Sequence, residues 1–304
     1  IIYVNDVKQT ERPVQFYFDG TLRVTSVTES GLSVIRQFFP SVTEKNCYEQ
    51  MTLRNDGVRP VTFTVSGEDS AVLENVSGAK GVYVVEYYKK CKKALETAKV
   101  TLFPKQELNF GLTYTAHIAN EPIKIEDPEL ALRHRYRRIE CLTESVQLDT
   151  GDPAIDTMAH FAKIRAGESI FDTIGGLMHS PGGRSYYAAV WCNDEVEYAA
   201  PWFAYTGYKF GIDASMNTFR LFSRFMADNM ESIPSSIIAE GLDVWSRDRG
   251  DEAMYCYGAS AFSLICGNRE MAEKLLPSIE WCLAFCESRK GPEGVILSET
   301  DELE

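Results

Sequence analysis

The hydrophobic period of this chain changes once, near residue 125, and that change limits the folds open to it. Before it, apolar residues alternate with polar ones: Val14, Phe16 and Phe18; Val61, Phe63 and Val65; Leu108, Phe110, Leu112 and Tyr114. A period of two puts alternate side chains on one face of an extended chain, so these runs predict half-buried β-strands. Turn residues punctuate them at Asp19-Gly20, Ser30-Gly31, Asn55-Asp56-Gly57, Ser66-Gly67 and Ser77-Gly78-Ala79-Lys80-Gly81. Many short strands with no helices between them predict an antiparallel β-sandwich over residues 1–125. Residues 94–98 read as a loop or a single helical turn.

After residue 125 the period becomes helical. Asp127 is an N-cap with Pro128 at the first helical position, and a basic helix runs from there to about Glu144. Residues 126–150 are therefore expected to form a helical linker. Beyond it, apolar stripes predict helices at about 153–167, 196–206, 214–230, 251–265 and 269–289. They come in pairs, with short turns alternating with long polar loops, and the unusual residues sit in the long loops. That arrangement suits a toroid of helical hairpins with its loops gathered at one end. A plain bundle or a helical solenoid also pairs its helices, but no internal repeat is visible. The expected class is α+β multidomain: a β-sandwich, the linker, and over 151–304 the first part of an α/α toroid.

Charge and composition narrow the function. A net charge of -13 argues against nucleic acid as a partner, because a nucleic-acid binder carries a basic footprint. No run of apolar residues is long enough for a transmembrane helix, so no membrane partner is expected. Eight cysteines, no Cys-x-x-Cys pair and four scattered histidines argue against a disulfide scaffold and against zinc, and no cofactor is expected. Cys282 and Cys286, one helical turn apart, read as free core thiols. The opening Ile1-Ile2-Tyr3 reads as an excised piece of a longer chain.

Three loops carry residues suited to chemistry. The first is Ser180 to Glu195, containing Pro181-Gly182-Gly183-Arg184, Tyr186, Tyr187, Trp191, Asp194 and Glu195. Aromatic faces cover the C–H patches of a pyranose while Arg and Asp bond its hydroxyls, so these side chains suit a sugar subsite; an ordinary loop into a helix is the alternative. The second, Ser235 to Glu252, places Trp245, Arg247, Asp248, Arg249, Asp251 and Glu252 ahead of a helix. Capping by Asp248 or Asp251 explains part of it but not the clustering of Trp245 with two arginines. The third, Gly291 to Glu304, ends in Glu299, Asp301, Glu302 and Glu304 after a Val295-Ile296-Leu297 stretch that reads as buried. A carboxyl group held among other acids has a raised pKa, the condition for a general acid at a glycosidic oxygen; a frayed acidic segment is the plainer reading.

Together the loops resemble the six-hairpin, (α/α)6-barrel glycoside hydrolases of the trehalase and glucoamylase kind, many of which carry an N-terminal β-sandwich. Pro181-Gly182-Gly183-Arg184 with Trp191-x-x-Asp194 is similar to the trehalase signature, and Arg247-Asp248-Arg249-Gly250 to a glucoamylase Arg-Asp-Gly turn. Ser185-Tyr186-Tyr187 and the late Asp194 depart from the trehalase pattern, and Glu299-Thr300-Asp301-Glu302 stands where a Ser-Gly-Trp-Asp acid motif is absent. By position the resemblance implies Asp301, then Glu302, as the general acid. It implies sugar contacts from Arg184, Tyr187, Trp191, Asp194, Glu195, Trp245, Arg247, Asp248 and Asp251.

The resemblance also implies an inverting mechanism whose base lies near the eleventh barrel helix. Twelve helices with their loops need about 300 residues, and residues 151–304 are about half of that. The expectation is a fragment of a longer hydrolase that lacks the C-terminal half of its barrel and is inactive alone. An inverting phosphorylase of the same architecture and a non-catalytic carbohydrate-binding protein are the competing readings. A bacterial periplasmic or secreted location suits the sparse cysteines, and the sugar is left open.

Overall fold

A computed structural model of the chain describes residues 1–66, 70–78, 81–91, 99–180, 189–238, 241, 243–247 and 250–298. The chain divides into two compact units, Ile1–Glu140 and Cys141–Glu304.

Among the described residues of the first unit every strand pairing is antiparallel. A seven-stranded sheet has the order β3 (Arg12–Phe18), β4 (Leu22–Val27), β5 (Leu32–Pro40), β6 (Asn46–Asn55), β11 (Glu107–Ile118), β9 (Gly81–Cys91) and β8 (Ser70–Gly78). A four-stranded sheet has the order β10 (Val100–Leu102), β7 (Val61–Val65), β1 (Ile2–Val4) and β2 (Val7–Lys8). One apolar cluster joins them: Ile2, Phe63 and Leu102 from the smaller sheet meet Leu32, Val34, Met51, Leu53 and Phe110 from the larger. The alternation around Phe63 and Phe110 thus marks a buried face. It fails at Phe16 and Phe18, which are 67% and 44% exposed. They lie on β3, which among the described residues pairs only with β4 at the sheet edge, so alternation there reports strand geometry without burial.

Helix α1 (Pro128–Thr143) starts where Asp127 Oδ1 accepts from the backbone N–H of Glu129 and Leu130, satisfying two of the amides that a helix start leaves open. It docks on the turn between β3 and β4. Arg135 donates through Nε and Nη2 to Gly20 O, at 2.9 and 2.7 Å. Gly20 has φ +87°, and a Cβ there would lie 2.3 Å from Ile139 Cδ1, so only glycine permits both the turn and the docking.

The second unit opens with α2 (Pro153–Glu168), N-capped by Asp152. A hairpin of β12 (Ile170–Thr173) and β13 (Gly176–His179) follows. Next come β14 (Val190–Trp191), a π-helical turn (Asp194–Ala199), α3 (Ala200–Thr206) and α4 (Lys209–Ser223). The hairpin β15 (Pro234–Ile238) and β16 (Asp243–Arg247) leads into α5 (Asp251–Cys266) and α6 (Arg269–Ser288). The core joins Met178, Val190, Val196, Phe219, Phe222, Ile237, Tyr255, Phe262 and Leu275. Cys192, Cys282 and Cys286 are buried free thiols.

Two local expectations are corrected. The stretch from Ser235 to Glu252, read as a long loop, is largely a hairpin, because Pro234–Ile238 pairs back on Asp243–Arg247. The cap of α5 is Gly250 in the left-handed conformation at φ +77°, and Asp251 is the first helical residue. Residues 94–98 lie outside the described residues.

Candidate functional site

The first and second loops meet through main-chain pairing. β14 pairs with β15 and β15 with β16, so Trp191, Ser236 and Trp245 form one row across three strands. The neighbouring row is Val190, Ile237 and Val244. Val190 and Ile237 belong to the core, which fixes the register, since a slip of one residue would turn them outward.

This small sheet is tied to the N-terminus of α5. Glu252 Oε1 accepts from the backbone N–H of Ile233 at 2.8 Å, just ahead of β15. The Cys192 thiol, directly after β14, lies 3.9 Å from Asp251 O. Burial, and next the carboxylate of Asp251, pushes that thiol well above its usual range and keeps it protonated. Asp251 is 1% exposed and Glu252 is equally buried, both in the first turn of α5, where the helix dipole favours negative charge.

The π-helical turn separates two adjacent acids. Asp194 is exposed, whereas Glu195 is 2% exposed. Glu195 Oε2 lies 2.7 Å from Nδ1 of His179 on β13, and Ser215 Oγ on α4 reaches Oε1 at 3.4 Å. Phe203 of α3 packs edge-on against the His179 ring with centroids 5.0 Å apart. Glu195 therefore ties β13 to α4 from inside the unit. Trp191 is 7% exposed, so its ring is a wall of the core more than an open platform.

The third loop leaves from the same end. Gly267, left-handed at φ +58°, closes α5, and Asn268 Oδ1 accepts from Met271 N to start α6. So short a connection makes the helices antiparallel neighbours, which puts the C-terminus of α6 beside the N-terminus of α5. The chain then folds back on itself, with Gly291 N donating to Val295 O and Leu297 N to Arg289 O. Val295, Ile296 and Leu297, expected to be buried, are exposed: main-chain bonds hold this turn, and side-chain packing does not.

Of the residues singled out from sequence, Trp191, Asp194, Glu195 and Asp251 are placed with their side chains, and Trp245 and Arg247 are placed on β16. Arg184, Tyr187, Asp248, Asp301 and Glu302 lie outside the described residues. Sequence reasoning missed His179, Ser215 and the brace role of Glu252. His179 had a signal: it is one of four histidines and stands two residues before Pro181. Among the described residues no cluster of three or more His, Cys, Asp or Glu side chains could hold a metal ion. None of the described helices is long and apolar enough to cross a membrane.

No protein-family profile and no curated protein sequence matches the chain. Among solved structures, one described as a kojibiose phosphorylase from the human microbiome superposes with a TM-score of 0.53 at 12% identity, over 91% of this chain and 45% of that one. The two share a fold. At this identity the likeness is one of fold alone, and the chain spans less than half the length of that structure. A bacterial glucoamylase in complex with acarbose gives a TM-score of 0.35 at 9% identity, over 93% of this chain and 60% of that one. A polysaccharide lyase gives 0.24 at 8%, over 90% and 58%.

Proposed function

We propose that the chain is part of a carbohydrate-active enzyme that cleaves a glycosidic bond with inversion, built as a β-sandwich, a helical linker and the first hairpins of an (α/α)6 barrel. The observation that carries this reading is the row Trp191, Ser236 and Trp245, which joins two loops of sugar-binding composition at the N-terminus of α5. The fold shared with the phosphorylase supports it. In this reading Arg184, Tyr187, Asp194, Trp245, Arg247 and Asp248 contact the sugar, Trp191 and Asp251 shape the cavity wall, and Glu195 braces it from behind. Asp301, with Glu302 as second choice, protonates the leaving oxygen as the bond to the anomeric carbon breaks. A water on the opposite face, deprotonated by a base carboxylate about 6.5–9.5 Å from the acid, forms the new bond. No residue of this chain is assigned as that base, so the chain alone is expected to bind sugar without turning it over.

The second reading is phosphorolysis, in which inorganic phosphate replaces the water and leaves as a sugar 1-phosphate. The likeness to a kojibiose phosphorylase favours it. Product analysis on kojibiose, maltose and trehalose, with and without phosphate, separates the two in the complete enzyme. Free sugar alone supports hydrolysis, and sugar 1-phosphate that requires phosphate supports phosphorolysis. Asp301→Asn is expected to lower turnover by about 100-fold or more. Turnover unchanged in both Asp301→Asn and Glu302→Gln would remove the acid assignment. Turnover by the 304-residue chain itself would overturn the placement of the base.

A further inference from the structure

The seven-stranded sheet carries a feature unrelated to the loops of the second unit. A groove of about 500 Å³ runs over β6 and β11 beside the first turn of α1, lined by Tyr48–Thr52, Asn109–Thr113 and Asp127–Glu129. Its volume lies within the about 300–1,000 Å³ of small-molecule sites. Cross-strand pairing fixes which side chains face it: Tyr48 opposes Thr113, Gln50 opposes Gly111 and Thr52 opposes Asn109. Thr52 and Asn109 are hydrogen-bonded to each other at 2.6 Å, as two side chains on one face must be. Tyr48 OH donates to Glu126 O at 3.1 Å, which places the chain leading into α1 at the same face.

Gly111 sits in the middle of a twelve-residue strand and interrupts the polar row that Gln37 and Gln50 begin. A Cβ at Gly111 would lie 3.1 Å from Glu49 O, so the close backbone approach that glycine allows here is that of β6, and the missing side chain leaves a gap in the row. Around the gap are polar groups with capacity to spare. Gln37 spends its amide on Thr21 Oγ1 and Tyr136 OH, but the Gln50 amide makes no hydrogen bond among the described residues. Thr113 is only 3% exposed, and its hydroxyl has no partner there either. Asn109 uses its Oδ1 on Thr52 and keeps both amide hydrogens for another acceptor.

A hydroxyl and two amides present donors and acceptors together, which suits hydroxyl groups. The lining contains no Lys or Arg and carries Asp127 and Glu129 at its rim, which opposes an anion. Both strands under the groove are interior to the sheet, so no open edge is available to a strand-forming peptide. We propose that this groove is a binding site for a neutral oligosaccharide, separate from the site of the second unit and independent of the activity proposed for it.

The test is calorimetric titration of the full 304-residue chain with maltotriose, cellotriose and mannotriose, and with trigalacturonate as the charged control. Wild type is compared with Gln50→Ala, Thr113→Val and Trp191→Ala, each checked for folding by its melting curve. The expected result is that at least one neutral trisaccharide binds in the about millimolar range or tighter. Gln50→Ala and Thr113→Val should each weaken it at least about fivefold, with Trp191→Ala unchanged at this site. Binding lost in Trp191→Ala but intact in the other two would assign the sugar to the second unit and overturn the proposal. Equal binding of trigalacturonate, or no binding up to about 10 mM, would overturn it as well.

Discussion

His179 Nδ1 and Glu195 Oε2 are 2.7 Å apart inside the second unit, with Ser215 on the far side of the carboxyl group. The pair links a strand that follows α2 to a helix that follows α3, and its acid belongs to the turn that opens the candidate site. A sequence reading gives Glu195 a sugar hydroxyl to bind, whereas its surroundings give it protein partners.

Glu195→Ala should therefore act on stability. Removing the acid leaves the half-buried ring nitrogen of His179 without its partner, a loss of about 2–3 kcal/mol. Urea unfolding of the variant measures it. A change below about 0.5 kcal/mol, as at exposed sites, would remove the brace role.

Gly258→Ala should reverse the usual sign of a helix substitution. Alanine in a helix interior is ordinarily favoured over glycine by about 1 kcal/mol. At Gly258 a Cβ would lie 1.8 Å from Val196 O in the π-helical turn, and main chain cannot step aside as a side chain can. The expected cost is about 3 kcal/mol or more, seen as a lowered melting temperature. A variant as stable as wild type would show that α5 and the π-helical turn are not in contact.

Lys163 holds the end of α1. Its Nζ donates to the carbonyl oxygens of Thr143, Ser145 and Val146 at 2.6, 3.0 and 2.9 Å. One carbonyl from the last residue of α1 and two from the turn that follows it thus share one buried cation. Lys163→Met keeps most of the packing and loses all three bonds, and should destabilise the second unit by about 2 kcal/mol in chemical unfolding. Lys163→Arg should recover part of the loss.

The first unit should be most stable in mild acid. His117 Nε2 lies 2.6 Å from Glu86 Oε1 and its Nδ1 lies 3.0 Å from Ile118 O, so both ring nitrogens face acceptors and only the imidazolium satisfies both. The Glu86 hydrogen bond raises the His117 pKa, and the His117 hydrogen bond lowers that of Glu86. The histidine contribution is complete below its unfolded value of about 6.5 and fades as pH rises through the raised folded value. The glutamate contribution is complete above about 4.5 and fades as pH falls through its lowered folded value. Melting temperature against pH should fall from mild acid toward alkaline conditions, and Glu86→Gln should flatten that fall. An NMR titration giving His117 a midpoint below about 6.5 would contradict it.

Much of the local structure was legible in the chain because it rests on neighbours in sequence. Pro128 and Pro153 start helices behind Asp127 and Asp152, as fixed φ and a side-chain acceptor require. The end of α5 and the start of α6 follow from Gly267 and Asn268. The strands around Phe63 and Phe110 follow from their alternation. β3 has the same alternation and none of the burial, since its place at the sheet edge depends on which strands pair, a property of the whole sheet.

For the candidate site, the sequence by itself determined the supply of side chains: Trp191, Asp194, Glu195, Trp245 and Asp251 fall in segments between or at the start of helices. Only the tertiary structure decided their use. Trp191 reaches Trp245 through Ser236, and no local pattern encodes pairing across so many intervening residues. A π-helical turn sends Asp194 outward and Glu195 inward, onto a histidine and a serine from two other elements. Backbone preference and hydrophobic period are local energies and can be read along a chain. Which face is covered, and which acid meets which partner, follows from long-range packing.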